Sequence, residues 1–243
     1  IESRPADIPE PEADCSYTVV YEDDRLLIVN KPGNLAAHPA GPFFKHTLWY
    51  LLTQKYGSIH LVNRLDRETS GLLLAAKDAE TAAKLAKLEV LKEYLVLVHG
   101  QMHDAVDAAG FLVKDHDSAV RKKRKFVFAS EDAQKESAHT KFYPVKTDGT
   151  LSLVRAVAVT GRLHQIRATM CSLGFPVAGD KLYGLDDTMY LKIKDELLTP
   201  EDRAKLLLPN QALHAARLRF CHPASGEIID VAAPPPGSWR LQP

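Results

Sequence analysis

Residues 60–77 read His-Leu-Val-Asn-Arg-Leu-Asp-Arg-Glu-Thr-Ser-Gly-Leu-Leu-Leu-Ala-Ala-Lys. Asp66 stands between Arg64 and Arg67 and leads into Thr69-Ser70-Gly71, after which Leu72 to Ala76 reads as a buried strand. A carboxylate held beside cations stays ionised, and a glycine turn lets a ligand come close to the backbone. Taken alone, the same residues also describe a surface turn laced with ion pairs. A second segment, far along the chain, bears on the choice between these readings.

That segment is Thr160-Gly161-Arg162-Leu163-His164-Gln165-Ile166-Arg167-Ala168-Thr169-Met170-Cys171-Ser172-Leu173-Gly174. Thr160 suits an N-cap and Gly174 a stop, which predicts a helix between them. At ~100° per residue, Leu163, Ile166, Met170 and Leu173 form one apolar stripe. Arg167 falls inside that stripe, roughly 40° from Leu163 and 60° from Met170. A guanidinium cannot shed its proton. On the core side of a helix it needs a carboxylate or phosphate, or it must snorkel to the domain edge.

Here the chain resembles a family. Asn63-Arg64-Leu65-Asp66-Arg67-Glu68-Thr69-Ser70-Gly71-Leu72 resembles the catalytic motif of the RluA-type pseudouridine synthases. Thr160 to Arg167, followed by Gly174-Phe175-Pro176-Val177-Ala178-Gly179-Asp180-Lys181-Leu182-Tyr183-Gly184, is similar to their downstream signature. Three further blocks match in family order. They are Tyr21–Asp24 through Asn30-Lys31-Pro32-Gly33 and His38-Pro39, the strand at Lys92-Glu93-Tyr94-Leu95, and Leu213-His214-Ala215 with His222-Pro223 and Gly226-Glu227. The resemblance spans residues 17–236. One departure is Asn63, where the family usually has histidine; asparagine keeps hydrogen-bonding capacity but loses the ring and the charge option. The segment between Ala86 and Lys92 is also shorter than usual for the family.

With 243 residues, 45% of them hydrophobic, the chain can bury one large core or two coupled subdomains. No apolar run approaches the roughly 20 residues needed to span a bilayer, and no signal-peptide pattern is visible. Cys15, Cys171 and Cys221 are few and widely spaced, which suggests neither a disulfide framework nor a zinc site. A reduced, cytoplasmic setting is expected. The net charge of zero is unusual for an RNA-binding protein, but the charge is unevenly spread. Eight acids fall in residues 1–24 against Arg4 alone, whereas 121–125 is Arg-Lys-Lys-Arg-Lys. That basic cluster is either a phosphate-holding patch or a solvated loop. Neutrality overall predicts modest non-specific affinity for RNA.

Residues 1–16, rich in acid and proline, are expected to form an N-terminal arm or linker. A chain that begins at isoleucine also allows for an appended upstream module. Strands are expected at Tyr17–Tyr21, Leu26–Asn30, Leu72–Ala76, Glu93–Val98, Phe111–Val113, Phe126–Ala129, Thr140–Val145, Leu151–Val159, Ala212–Phe220 and Glu227–Ala232. Helices are expected at Thr47–Tyr56, capped by Thr47, and at Ala79–Leu88, capped by Asp78. The polar, lysine-rich stretch Leu185–Leu208 reads as an insertion of short helices. Strands that mostly follow one another argue α+β with a mixed, largely antiparallel sheet. The resemblance implies the pseudouridine synthase fold: a bent sheet flanked by helices with a central RNA-binding cleft. Residues 17–243 would then be a single catalytic domain of two subdomains sharing one sheet.

The reaction implied by the resemblance isomerises a uridine of ribosomal or transfer RNA to pseudouridine. The N1–C1′ bond breaks, the uracil turns, and C5 bonds to C1′. No metal and no cofactor is required, since a carboxylate can serve as nucleophile or as base near the sugar. The resemblance assigns that role to Asp66. Arg167 would pair with Asp66, and Tyr94 would stack on the uracil, although a core tyrosine is the plain reading of its strand. The nucleotide must leave the helical stack, at a cost of a few kcal/mol, and Arg64 would fill the space it vacates. Arg67, Thr69, Ser70 and Gly71 would meet the RNA, and Arg121, Lys122, Lys123 and Arg124 would hold phosphates. Arg162, His164 and Gln165 would contact phosphate or support the Asp66 loop; a structural hydrogen bond suits His164 better than general-base work. The family default is a monomer.

Two rival classes remain open from sequence. One is a catalytically silent RNA-binding or remodelling protein, which intact Asp66, Tyr94 and Arg167 argue against. The other is a carboxylate-dependent nucleosidase, which needs a second paired acid or a metal cluster; Glu68 is the only acid near Asp66. A nucleosidase would release uracil from free uridine. Walker A, dinucleotide, nucleophile-elbow and H-E-x-x-H patterns are absent, and His38, His46, His99 and His103 lack ligand spacing.

Overall fold

The computed structural model describes residues 9–121, 123–186, 188–194 and 197–239. The chain divides into two compact units, Ile1–Leu88 and Glu89–Pro243.

In the first unit, β1 (Thr18–Glu22) and β2 (Leu26–Lys31) form the expected hairpin. Its turn is closed by Asp23, whose Oδ1 accepts from the amides of Arg25 and Leu26 at 2.7 and 2.9 Å. β2 pairs antiparallel with β4 (Ser70–Ala76), and β4 also takes the short β3 (His60–Leu61). Leu26 to Val29 and Leu72 to Ala76 are almost wholly buried, which is why both runs are continuously apolar rather than alternating.

Helix α1 (Leu48–Tyr56) begins where its sequence says it should, with the Thr47 hydroxyl accepting from the Tyr50 amide at 3.2 Å. The backbone carbonyls of Ala36 and Ala37 satisfy the amides of Leu48 and Trp49. Helix α2 (Ala79–Leu85) is capped by Asp78, as expected, but ends three residues before Leu88.

In the second unit the strands are β5 (Leu91–His99), β6 (Val106–Lys114), β7 (Arg124–Val127), β8 (Glu136–Thr147), β9 (Leu151–Ala158), β10 (Leu213–Cys221) and β11 (Ile228–Ala232). They pair antiparallel in the order β10-β5-β9-β8-β6-β7, with β11 beside β10. Val96, Leu97 and Val98 are all buried, as a central strand requires. Gly110 permits the β6–β7 pairing, because a Cβ there would collide with the Val127 carbonyl oxygen and come within 2.7 Å of the Phe126 ring.

Helix α3 (Gln165–Ser172) packs against β6 and β7. The insertion carries α4 (Thr188–Lys194) and α5 (Pro200–Leu206), the latter closed by a reciprocal cap between Thr199 and Asp202.

The sequence reading misplaced the start of α3. Thr160 does not cap it: its hydroxyl donates to Gln165 Oε1 at 2.7 Å and accepts from the His139 amide at 2.8 Å. The cap position is His164, in the left-handed region at φ 56°, with no side-chain cap. Leu163 therefore lies outside the helix and is 52% exposed, not part of the apolar stripe. Ile166 and Met170 are buried and Leu173 packs on the core as expected. Gly174 does end the helix, at φ 87°.

Candidate active site

The turn that carries Asp66 is tied down from beneath. The Thr69 amide donates to the Asp66 carbonyl at 3.1 Å. Lys31, at the end of β2, is fully buried, and its Nζ donates to the carbonyls of Leu35 (2.8 Å), Pro32 (2.9 Å) and Arg67 (3.1 Å). Three N–H donors thus meet three backbone acceptors, one of them inside the Asp66 turn. Burial pushes the Lys31 pKa down to about 7, against the opposing pull of Asp66.

Around this turn the side chains sort by exposure. Asp66 is half-buried and Arg64 and Arg67 are exposed. Arg67 lies over the Phe43 ring, 5.2 Å from its centroid, and pairs with Glu68 at 3.4 Å. His38 sits low in pKa, first through burial and then through the charge of Arg64. Thr69 and Ser70 are buried, 2% and 6% exposed, so their side chains serve the turn and the start of β4. Gly71 takes φ 107° opposite Lys31 in the β2–β4 register, a conformation side chains resist. Asn63 serves the structure through its Oδ1, which accepts from the Leu74 amide at 2.7 Å and ties the segment before Asp66 to β4.

In the second unit, Tyr94 sits on β5 between Ala215 of β10 and Ala156 of β9. Two alanine neighbours leave the flanks of the ring uncrowded within the sheet. Tyr94 is half-buried and packs on the core beside Val96 and Val98 on its own face.

Arg167 is 7% exposed, and its guanidinium forms a side-on fork with Asp180: Nε to Oδ2 at 2.6 Å and Nη2 to Oδ1 at 2.8 Å. The anion that a core-facing arginine demands is therefore supplied within its own unit, by a residue to which the sequence reading gave no role. Asp180 Oδ1 also accepts from the amides of Leu182 and Tyr183, both at 2.9 Å. Full burial works to raise the Asp180 pKa, but the Arg167 charge and these hydrogen bonds outweigh it and hold the carboxyl below its ordinary value. The Tyr183 ring, wholly buried, lies 5.1 Å from the guanidinium carbon. Its hydroxyl accepts from the Arg124 amide at 3.1 Å and sits 3.2 Å from His164 Nδ1.

His164 is thus engaged structurally. So is Gln165, 4% exposed: its Oε1 accepts from Thr160 and the Arg162 amide, and its Nε2 donates to the His139 carbonyl and Thr140. Arg162 is exposed and donates through Nε to the Ser137 carbonyl at 3.1 Å.

The basic run on the β6–β7 hairpin carries less free charge than its sequence suggests. Lys123 pairs with Asp115 at 3.8 Å, Arg124 with Glu136 at 3.6 Å and Lys125 with Asp117 at 3.2 Å. Arg121 is exposed, and Lys122 lies outside the described residues. Lys31 and Asp180 are the members that sequence reasoning missed. Each left a trace: a lysine closing a continuously apolar strand, and an acid inside the Val177–Leu182 run beside a glycine. Among the described residues no group of His, Cys, Asp or Glu forms a metal site, and no helix is long and apolar enough to cross a membrane.

The comparisons with known proteins agree with one another. The family profile described as RNA pseudouridylate synthase matches residues 25–172. A ribosomal large subunit pseudouridine synthase D of Zymomonas mobilis is 34% identical, over 98% of this chain and 73% of that protein. A ribosomal large subunit pseudouridine synthase C of Escherichia coli is also 34% identical, over 89% and 66%. Among solved structures, Human RNA Pseudouridylate Synthase Domain Containing 1 superposes with a TM-score of 0.70 at 24% identity, over 93% and 86% of the two chains, which supports the fold.

Proposed function

Because the chain belongs to the RNA pseudouridylate synthase family, and so is an RNA isomerase, we propose that Asp66 is its catalytic carboxylate and that Tyr94 and Arg167 act on the same uridine. The observation that carries this reading is the Asp66 turn itself. A half-buried carboxylate is held on a turn that a buried lysine fastens to the sheet, with two exposed arginines beside it. Rigid support beneath and cationic flanks above suit a group that must meet a sugar within an anionic polymer.

The isomerisation exchanges bonds without redox change. The N1–C1′ bond breaks, the C5–C1′ bond forms, C5 gives up its proton and N1 ends protonated. Asp66 has two routes to assist: addition to C1′, or removal of the C2′ proton. Tyr94 stacks on the turning uracil. Arg167 donates to the reacting carboxylate, Arg64 fills the stack that the flipped nucleotide leaves, and Arg67, Arg162 and Arg121 meet phosphates.

The names of the curated relatives make ribosomal RNA the substrate we favour. The enzyme acts as a cytoplasmic monomer, with residues 17–243 working as one catalytic domain and no cofactor.

The test is pseudouridine formation on ribosomal RNA transcripts, read by tritium release from uracil C5 and by mapping. The wild-type protein should convert a defined uridine. Asp66→Asn should bind the same RNA and yield no product; undiminished product from that variant would end the assignment.

A further inference from the structure

We propose that Asp180 is a positioning residue for the isomerisation, setting the direction in which Arg167 presents its remaining donors. The inference rests on the reading that Arg167 serves the reacting carboxylate.

Four features argue that Asp180 is built to aim a side chain. The fork is side-on, engaging Nε and one Nη2 hydrogen, so the end-on edge of the guanidinium is the one a second anion can meet. Asp180 is itself immobilised, because one of its oxygens also accepts from the Leu182 and Tyr183 amides. The turn that follows it is closed tightly: a Cβ at Gly184 would collide with the Asp180 carbonyl oxygen. Tyr183 covers the guanidinium and is held in turn at its hydroxyl by the Arg124 amide.

A chemical consequence follows from the charge count. Arg167 and Asp180 together are neutral, so Arg167 enters the reaction as an oriented hydrogen-bond donor rather than as a loose positive field. A donor of that kind contributes only if its direction is fixed. Asn at 180 would keep the acceptor for the two backbone amides but turn an NH2 group toward Arg167 Nε, donor against donor. The fork would then lose its Nε half, and residue 180 would no longer fix the direction of the guanidinium.

The experiment compares Asp180→Asn and Asp180→Glu, each confirmed folded by circular dichroism at the assay temperature, in single-turnover assays on ribosomal RNA transcript. Asp180→Asn should lower the rate at saturating RNA by about 10- to 100-fold, with the RNA affinity changed by less than about twofold. Asp180→Glu, which keeps the charge, should lose less. Adding Asp180→Asn to Arg167→Met should cost no more than Arg167→Met alone.

The proposal is overturned by a rate within about twofold of wild type in folded Asp180→Asn, by a loss confined to RNA affinity, or by additivity in the double variant. It is equally overturned if neither Asp180 variant folds, which would make the residue a folding element only. Asp66→Asn is run beside them: activity surviving there removes the functional reading, whereas normal rates at Asp180 with a dead Asp66→Asn remove only this inference.

Discussion

The ammonium of Lys31 donates to the carbonyl of Arg67 at 3.1 Å, fastening the end of β2 to a turn 36 residues further along the chain. The contact explains how a short loop with exposed arginines can hold a carboxylate steadily. It also places a buried amine, pushed down to about pKa 7, close enough to Asp66 to feel its charge.

A pH dependence of stability follows. The folded protein holds the Lys31 proton more weakly than the unfolded chain, whose lysine titrates near 10.5. The penalty for burying the charged form is therefore complete below pH 7 and fades as pH rises toward 10.5. Between pH 7 and 9.5 this group should add about 3 kcal/mol to stability. Urea unfolding of wild type and Lys31→Met at the two pH values checks it: the variant should lack this slope.

The described part of the acidic arm, from residue 9 onward, is docked at Glu10 and Pro11. Glu10 accepts from the amides of Phe44, Lys45 and His46, each at 2.9 Å, and His46 Nδ1 lies 2.8 Å from the Pro11 carbonyl. Burial is the largest single influence and works to raise the Glu10 pKa, but the three amides and the His46 charge together outweigh it and bring it to about 2. This contribution is present above pH 4.5 and is lost as pH falls toward 2. Glu10→Gln should speed limited proteolysis between residues 9 and 16 at pH 7 and flatten acid unfolding over that window. Unchanged cleavage would show that the latch does not hold the arm.

Asn63 should matter through its oxygen. Its Nδ2 is buried with no hydrogen-bond partner among the described residues, while Oδ1 serves the Leu74 amide. Asn63→Ala should therefore cost about 1–2 kcal/mol in denaturant unfolding, by orphaning that amide. Asn63→Asp, which keeps the acceptor, should cost clearly less at pH 7.

Gly179 stands before the Asp180 fork at φ 73°, and a Cβ there would collide with the Asn210 carbonyl oxygen. Gly179→Ala combines a backbone strain with a clash against main chain. It should destabilise by more than about 1 kcal/mol and should lower the turnover of the folded fraction, because Asp180 must shift with its neighbour. Thermal melts with single-turnover rates measure both.

The basic hairpin is restrained by its own acids. Asp115→Asn with Asp117→Asn releases Lys123 and Lys125 from their pairs. RNA affinity should rise by a few-fold at low salt, with a steeper salt dependence, if this face meets phosphate. Filter binding at two salt concentrations gives the slope, and an unaltered slope would exclude the hairpin from the RNA face.

Much of the local structure was legible because its causes are local. The caps at Thr47 and Asp78 act on amides three residues away, and the continuous apolar runs at Leu26–Val29 and Leu72–Ala76 mark buried strands. The start of α3 was not legible. Thr160 had two uses for its hydroxyl, and its partners, Gln165 and His139, lie on a folded loop and on a neighbouring strand.

The sequence by itself settled the strand-rich α+β class and the family, since these rest on residue identities in a fixed order. Tertiary structure alone decided which groups hold the Asp66 turn and Arg167 in place. Lys31 and Glu10 act on backbone carbonyls and amides, which every residue carries and no letter of the sequence marks. Arg167 required some anion, but only the turn after α3 could bring Asp180 to its Nε edge. Side-chain chemistry states a need for a partner, whereas the path of the chain selects which one supplies it.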